Sequence, residues 1–276
     1  MELNTTHVHS CYEYRTDGFE QVNTAVITET PIALTINGED WLSFMCSPVD
    51  LEALAVGFLF NEGLIHSKDE IASVRVCASR DNVDVWLHHA VEQPRRWQRA
   101  SGCGGGMCTA PPQFEHHISP NGFTLTPEQV LALMNMLYEN QQLHRQVGST
   151  HTSAISDGRS ILICTEDIGR NNTLDKLSGH ILLDGLKAAQ RILLTTGRIS
   201  FEMLQKAARI EAAVVISRTS PTSLSVEMAD RMGITIIGYV RQNKFSIYTH
   251  PERVVCTERA TDVVHDTGHV SRDVRK

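Results

Sequence analysis

Apolar positions along the chain fall into runs of two kinds. Between Thr24 and Leu42, Ala25-Val26-Ile27 and Ile32-Ala33-Leu34-Thr35-Ile36 are rich in strand-forming residues. Asn37-Gly38 is a hairpin signal between the second run and Trp41-Leu42-Ser43-Phe44-Met45. Ser47-Pro48 predicts a helix start, with Ser47 as N-cap and proline at the first helical position. Leu51, Leu54, Ala55, Phe58 and Leu59 give that helix an apolar face, and Gly63 is expected to close it. Ile71 to Ala78 and Asn82 to His88 read as two further strands. Residues 20–100 are therefore expected to form a small α+β domain behind a loose polar leader, residues 1–19.

The second half is more regular. Gly122 to Thr126 reads as a short strand. Thr126-Pro127-Glu128-Gln129 is a capping box, and Val130, Leu133, Met134 and Leu137 carry its helix to about Arg145. Thr152 to Ser156 and Ser160 to Cys164 flank Asp157-Gly158, a second hairpin. Thr173 to Lys187 is helical, and Arg191 to Thr196 is a strand. Ser200 caps a helix through Ala208, and Ala212 to Ser217 is again a strand. Ser220-Pro221 opens a helix that Gly233 ends, before strands at Ile234 to Tyr239 and Phe245 to Tyr248. Strands apolar on both faces, alternating with helices, predict an α/β core of residues 121–253. Its sheet is mixed and partly parallel, with helices on both faces. Residues 254–276 read as a polar tail.

Length and charge narrow the partners. With 276 residues the chain can bury one large core and a smaller one. A net charge of -7 argues against a general nucleic-acid binder but leaves room for a local basic pocket. No apolar run has the length of a membrane span. The stretch Met1 to Gly18 has no apolar h-region, so a cytoplasmic protein with reduced thiols is expected. Of the seven cysteines, Cys46, Cys77 and Cys164 lie in or beside apolar segments and read as small buried hydrophobes. Cys11 and Cys256 have no evident role.

Cys103 and Cys108 are different. They sit in Ser101-Gly102-Cys103-Gly104-Gly105-Gly106-Met107-Cys108, within a Gly-rich loop of residues 101–120. Glycine there loses backbone entropy and gains no burial, which suits a movable arm or a close backbone approach. Arg95, Arg96 and Arg99 lie just upstream, and nearby cations favour thiolate over thiol. A reactive cysteine on a movable arm and a surface loop with incidental cysteines both fit this stretch.

Ligands of open α/β sheets bind beyond the carboxyl ends of the strands. Those ends read Thr165-Glu166-Asp167-Ile168-Gly169-Arg170-Asn171-Asn172, Thr195-Thr196-Gly197-Arg198, Ser217-Arg218-Thr219-Ser220 and Gly238-Tyr239-Val240-Arg241-Gln242-Asn243-Lys244. Each brings a cation and a hydroxyl or amide close to a helix start, which suits a phosphorylated or nucleotide-like ligand. Taken singly each is an ordinary N-cap or a solvated arginine; four in one layer favour a pocket. Asp167, Asp175 and Lys176 read as ion-paired scaffolding, with base or ribose recognition by Asp175 as the alternative. His151 is either a packed histidine or a general acid/base. A zinc site of Cys103, Cys108, His116 and His117 lacks the usual ligand spacing, so no intrinsic metal is expected. The familiar nucleotide fingerprints are missing.

Several of these stretches resemble one family. Thr30-Pro31-Ile32-Ala33-Leu34, Ser47-Pro48-Val49-Asp50-Leu51-Glu52, Asn61-Glu62-Gly63-Leu64-Ile65 and Glu166 to Lys176 are similar to the formate dehydrogenase accessory sulfurtransferases. So are Ser200 to Ala207, Ser220-Pro221-Thr222-Ser223-Leu224, Gly238-Tyr239-Val240-Arg241 and Phe245 to Thr249. The resemblance implies a cytidine deaminase-like core and a homodimer. It implies a sulfurtransferase that takes persulfide sulfur from a cysteine desulfurase. The sulfur goes to the bis-molybdopterin guanine dinucleotide molybdenum cofactor, a bound substrate, before that cofactor enters formate dehydrogenase. The persulfide cysteine falls on Cys103, and the cofactor-binding segment on Tyr239, Val240, Arg241, Gln242, Asn243 and Lys244. The cysteines here are spaced Cys-x4-Cys rather than Cys-x-x-Cys, and whether Cys108 assists or is dispensable stays open. Asn171 stands where the family usually has histidine. Together with the strand-end reading, Arg170, Arg198 and Arg218 are expected to line the same site. A non-covalent cofactor chaperone and a zinc hydrolase of deaminase type are the competing functions.

Overall fold

The structure is a computed structural model that describes residues 5–93, the backbone of residues 98–99 and 107–108, and residues 122–256. Fourteen strands occur among these residues. β1 (Thr6–Arg15) and β2 (Gly18–Ile27) form a two-stranded ribbon. β3 (Thr30–Ile36), β4 (Glu39–Cys46), β5 (Ile71–Val76) and β6 (Asn82–Leu87) form a second sheet in the order β4-β3-β6-β5. The short pair β7 (Gln98–Arg99) and β8 (Met107–Cys108) is antiparallel. The third sheet joins β9 (His151–Ser156), β10 (Ile161–Asp167), β11 (Ile192–Thr195), β12 (Val214–Ser217), β13 (Thr235–Arg241) and β14 (Lys244–Ile247). Its order is β10-β9-β11-β12-β13-β14. β11, β12 and β13 are parallel, and antiparallel strands flank them on both sides.

Period-two alternation explains how this sheet carries helices on both faces. Ile155, Leu193, Val215 and Ile236 point to one face, where they pack on α4 (Arg170–Asp184), α5 (Phe201–Arg209) and α6 (Ser223–Met232). Ala154, Ile192, Leu194, Val214, Ile216 and Ile237 point to the other, under α2 (Pro127–Glu139). This is the mixed, partly parallel sheet between helix layers that the sequence predicts.

The N-terminal sheet reaches the core through α1 (Leu51–Asn61). That helix is apolar all round and buried from Leu51 to Leu59 except at Glu52, as a helix between two layers must be. It packs on Ile32, Leu34, Val83 and Val85 on one side and on α4 on the other. Gly57 and Gly179 allow the approach to α4. A Cβ on Gly57 would lie 1.7 Å from the Asp175 carbonyl oxygen, and one on Gly179 1.9 Å from that of Ala53.

Several local expectations change. The leader is not loose over Thr6 to Arg15, which pairs residue for residue with β2. Val8, Tyr12 and Tyr14 lie exposed along it, so no buried face marks this strand in the sequence. α1 starts three residues after Pro48, with Asp50 at φ 52 as its N-cap, because Ser47 is held elsewhere. The Ser47 N–H donates to Asp167 at 3.1 Å, and its hydroxyl accepts from the Ile168 N–H at 3.2 Å. The helix predicted to run to Arg145 ends at Glu139, and a separate turn, α3 (Leu143–Val147), follows. Glu166 explains that break. Its carboxylate accepts from the N–H groups of Gln142, Leu143 and His144 at 2.7–2.9 Å, anchoring the orphan donors of the new helix start. α6 is capped by Thr222, not by Ser220-Pro221. Leu125 makes only an isolated bridge to Val254, which ties down the start of the expected tail. Cys77 is not a core residue: its thiol hydrogen-bonds Asp81 at 3.0 Å within a turn. The capping box at Thr126, the Ser200 cap and the Asn37-Gly38 turn form as predicted.

Candidate functional site

The carboxyl edge of the core sheet divides into two parts. At the β10–β9 end, charged side chains are consumed by one another. Asp167 and Lys176 are fully buried and 2.7 Å apart. The Lys176 ammonium also donates to the backbone oxygens of Ser47 and Glu166 at 3.2 and 3.1 Å. The Asp167 carboxylate accepts from the N–H groups of Ser47 and Gly169 and from the Asn172 amide. One turn along α4, Asp175 is held by Lys206 at 2.6 Å and by the Asn61 amide at 2.7 Å. Burial pushes the Asp175 carboxyl above the usual range, against the pull of Lys206. The scaffolding reading of Asp167, Asp175 and Lys176 thus matches the geometry, and Asp175 has no surface left for a ligand.

Arg170 and Arg198 belong to this end. Arg170 is 8 % exposed and lies over Gly197, where a Cβ would meet its own Cβ at 3.0 Å. Arg198 is exposed. Between them His151 is half-buried. Burial, and then Arg170, hold its imidazole below the usual histidine range, so it is neutral at pH 7.

At the β12–β14 end the same residue types do something else. A cavity of about 540 Å³ opens between α2 and the β13–β14 turn. One wall is Val240, Arg241, Gln242, Asn243 and Lys244, with Arg218 beyond the end of β12. The other is a stripe of α2, Leu131, Asn135 and Tyr138, together with the buried Met134. The Arg218 guanidinium lies 5.9 Å over the Tyr138 ring, and Arg241 donates to the Arg218 backbone oxygen at 2.5 Å. Among the described residues no carboxylate lines the cavity, and Arg218, Arg241 and Lys244 make no ion pair. A bulge where β13 meets β14 sets this wall. It leaves Tyr239 in the left-handed region at φ 53, a conformation rare for an aromatic residue. Gly238 packs so tightly beside it that a Cβ would meet the Thr219 carbonyl at 2.9 Å.

Of the predicted site residues, the structure brings Arg218, Val240, Arg241, Gln242, Asn243 and Lys244 together. Tyr239 is 47 % exposed and is not among the residues that line the cavity. Arg170 and Arg198 lie farther along the edge and do not line it. Cys103 lies outside the described residues, as do His116 and His117. Cys108 is placed only by its backbone, opposite Gln98. The α2 wall was not anticipated from the sequence. Its one signal is that Leu131, Asn135 and Tyr138 recur at i, i+4 and i+7, beside the buried stripe Val130, Leu133, Met134 and Leu137. No helix of the described residues is long and apolar enough to cross a membrane.

Comparison with known proteins joins these features. The chain is 36 % identical over 269 residues to the sulfur carrier protein FdhD of Staphylococcus haemolyticus, covering 94 % of this chain and all of that one. It is 34 % identical over 263 residues to the sulfur carrier protein FdhD of Bacillus subtilis, covering 92 % and 99 %. A crystal structure from Desulfotalea psychrophila, assigned as a formate dehydrogenase accessory protein, superposes with a TM-score of 0.77 at 28 % identity, covering 91 % of this chain and all of that one. The FdhD/NarQ family model matches residues 27–255, from the end of the ribbon through the last bridge of the core, and the chain belongs to that family.

Proposed function

We propose that this protein is a sulfur carrier for formate dehydrogenase, acting as a sulfurtransferase through a persulfide on Cys103. The Cys103 thiolate attacks the outer sulfur of a cysteine desulfurase persulfide. The S–S bond of the donor breaks, the desulfurase leaves as thiolate, and Cys103 carries the sulfane sulfur. The acceptor is the bis-molybdopterin guanine dinucleotide molybdenum cofactor, bound as substrate. Its partners are then the desulfurase, formate dehydrogenase and a second copy of the chain.

The observation that carries the reading is the cavity between α2 and the β13–β14 turn. Three cations without acidic partners face an apolar and aromatic wall, in a volume within the range of small-ligand sites. That combination suits a planar base joined to phosphates: guanidinium and ammonium groups hold phosphate, and the wall holds the ring. A guanine dinucleotide offers both. The relatives named as sulfur carriers supply the other half of the reading.

Incubation with a cysteine desulfurase and cysteine, followed by intact-mass measurement, tests the chemistry. The expected result is one added sulfur on the wild-type protein and on Cys108→Ser, lost only in Cys103→Ser. No added sulfur on any form, with a competent desulfurase, would replace the covalent mechanism by a non-covalent cofactor chaperone.

A further inference from the structure

The cavity has two chemically distinct walls, and they face each other. The β13–β14 turn offers exposed cations, Arg241 and Lys244. The α2 stripe offers apolar carbon from Leu131, the ring of Tyr138 and the amide of Asn135. Arg218 stands between, its guanidinium lying over the Tyr138 ring and its backbone oxygen accepting from Arg241. A ligand that is planar and weakly polar at one end and anionic at the other fits such a cavity in one direction. Resting on the nucleotide reading above, we infer that α2 is the base-reading wall: Tyr138 stacks the base and Asn135 pairs with its hydrogen-bonding edge. The turn is then the phosphate wall.

Both α2 residues can do this. Stacking on an aromatic ring accepts any base, because every base has a π-face. Asn135 is exposed, so its amide does not hold the core together. An amide carries one acceptor and a pair of donors, and meets guanine or adenine according to how it is turned. A carboxylate can only accept. Guanine presents two adjacent donors on its Watson–Crick edge, N1–H and N2–H, whereas adenine presents one donor beside an acceptor.

The test measures dissociation constants for GDP, ADP and pyrophosphate by calorimetry, on the full chain. Asn135→Asp is expected to raise the ratio of the ADP to the GDP constant by about tenfold, the size of a good base contact. The added negative charge weakens both nucleotides alike and cancels in that ratio. Tyr138→Ala is expected to weaken GDP by about tenfold and leave pyrophosphate unchanged, while Tyr138→Phe keeps GDP binding and reports that the fold is intact. Lys244→Ala is expected to weaken GDP and pyrophosphate together without moving the base ratio. If the wild-type chain binds GDP but neither Asn135→Asp moves the ratio nor Tyr138→Ala weakens GDP, the inference about α2 is overturned and the pocket reading stands. If the wild-type chain binds neither GDP nor pyrophosphate, the pocket reading falls, and the inference with it.

Discussion

The two ends of one sheet edge put similar side chains to opposite uses. At the β10–β9 end, Asp167 and Lys176 bury a charge pair whose remaining donors and acceptors are met by Ser47, Gly169, Asn172 and Glu166. At the β12–β14 end, Arg218, Arg241 and Lys244 stay exposed and have no acidic partner among the described residues. A charge whose hydrogen-bonding capacity is filled inside the fold is structural. It is also costly to disturb, because its desolvation has already been incurred. Cations left unpaired around a concave wall add little to stability and are available to an anion. The strand-end list from the sequence mixes both kinds, and only their partners sort them.

The largest effect expected from breaking this comparison is at the buried pair. Lys176→Met removes the cation and leaves Asp167 charged in the interior, which is expected to cost about 3–5 kcal/mol in denaturant unfolding. A loss below about 1 kcal/mol would mean that the pair is solvated in a way the structure does not show. At the other end the pattern should invert. Arg241→Glu is expected to change stability by less than about 1 kcal/mol, as surface substitutions do, yet to weaken GDP binding by at least about tenfold. Unchanged GDP affinity would separate the cavity from the nucleotide.

The smallest effect sharpens the boundary between α1 and α4. His180 on α4 lies 3.6 Å from Asp50, the left-handed cap of α1. The hydrogen bond that His180 donates to the Asp50 carboxylate raises the imidazole above its usual range, and the same bond lowers the Asp50 carboxyl. A histidine raised in the folded state stabilises fully below its unfolded value, near about pH 6.5, and the gain fades as pH rises through the folded value. His180→Gln should therefore differ most from wild type at about pH 6 and least at about pH 9, read from urea midpoints at both. His151, held low rather than raised, should show no such gain on acidification.

Much of the fold was legible because it depends on local pattern. Continuous apolar runs such as Ile192 to Thr195 and Val214 to Ser217 read as buried strands, and Thr126 and Ser200 read as caps, since each needs only its own neighbours. The failures share a cause. Ser47 looks like an N-cap until Asp167, 120 residues away in the chain, takes its N–H. Helix α2 looks longer than it is until Glu166 captures the next turn. The β1–β2 ribbon carries Val8, Tyr12, Tyr14 and Phe19 exposed on one face, so no core pattern marked it.

The candidate site divides in the same way. The sequence alone determined that the segment after the last parallel strand carries Arg241 and Lys244, that Arg218 follows the strand before it, and that the chain resembles one family over most of its length. Chain order placed these residues at one sheet edge, because parallel strands linked by helices deliver their ends together. Only the tertiary structure decided that Arg170 packs over Gly197 and that neither it nor Tyr239 lines the cavity. It alone set Tyr138 and Asn135 opposite the cations. Those outcomes depend on which helix lies across which strands, and that is fixed by packing between segments far apart in sequence, where local periodicity carries no information.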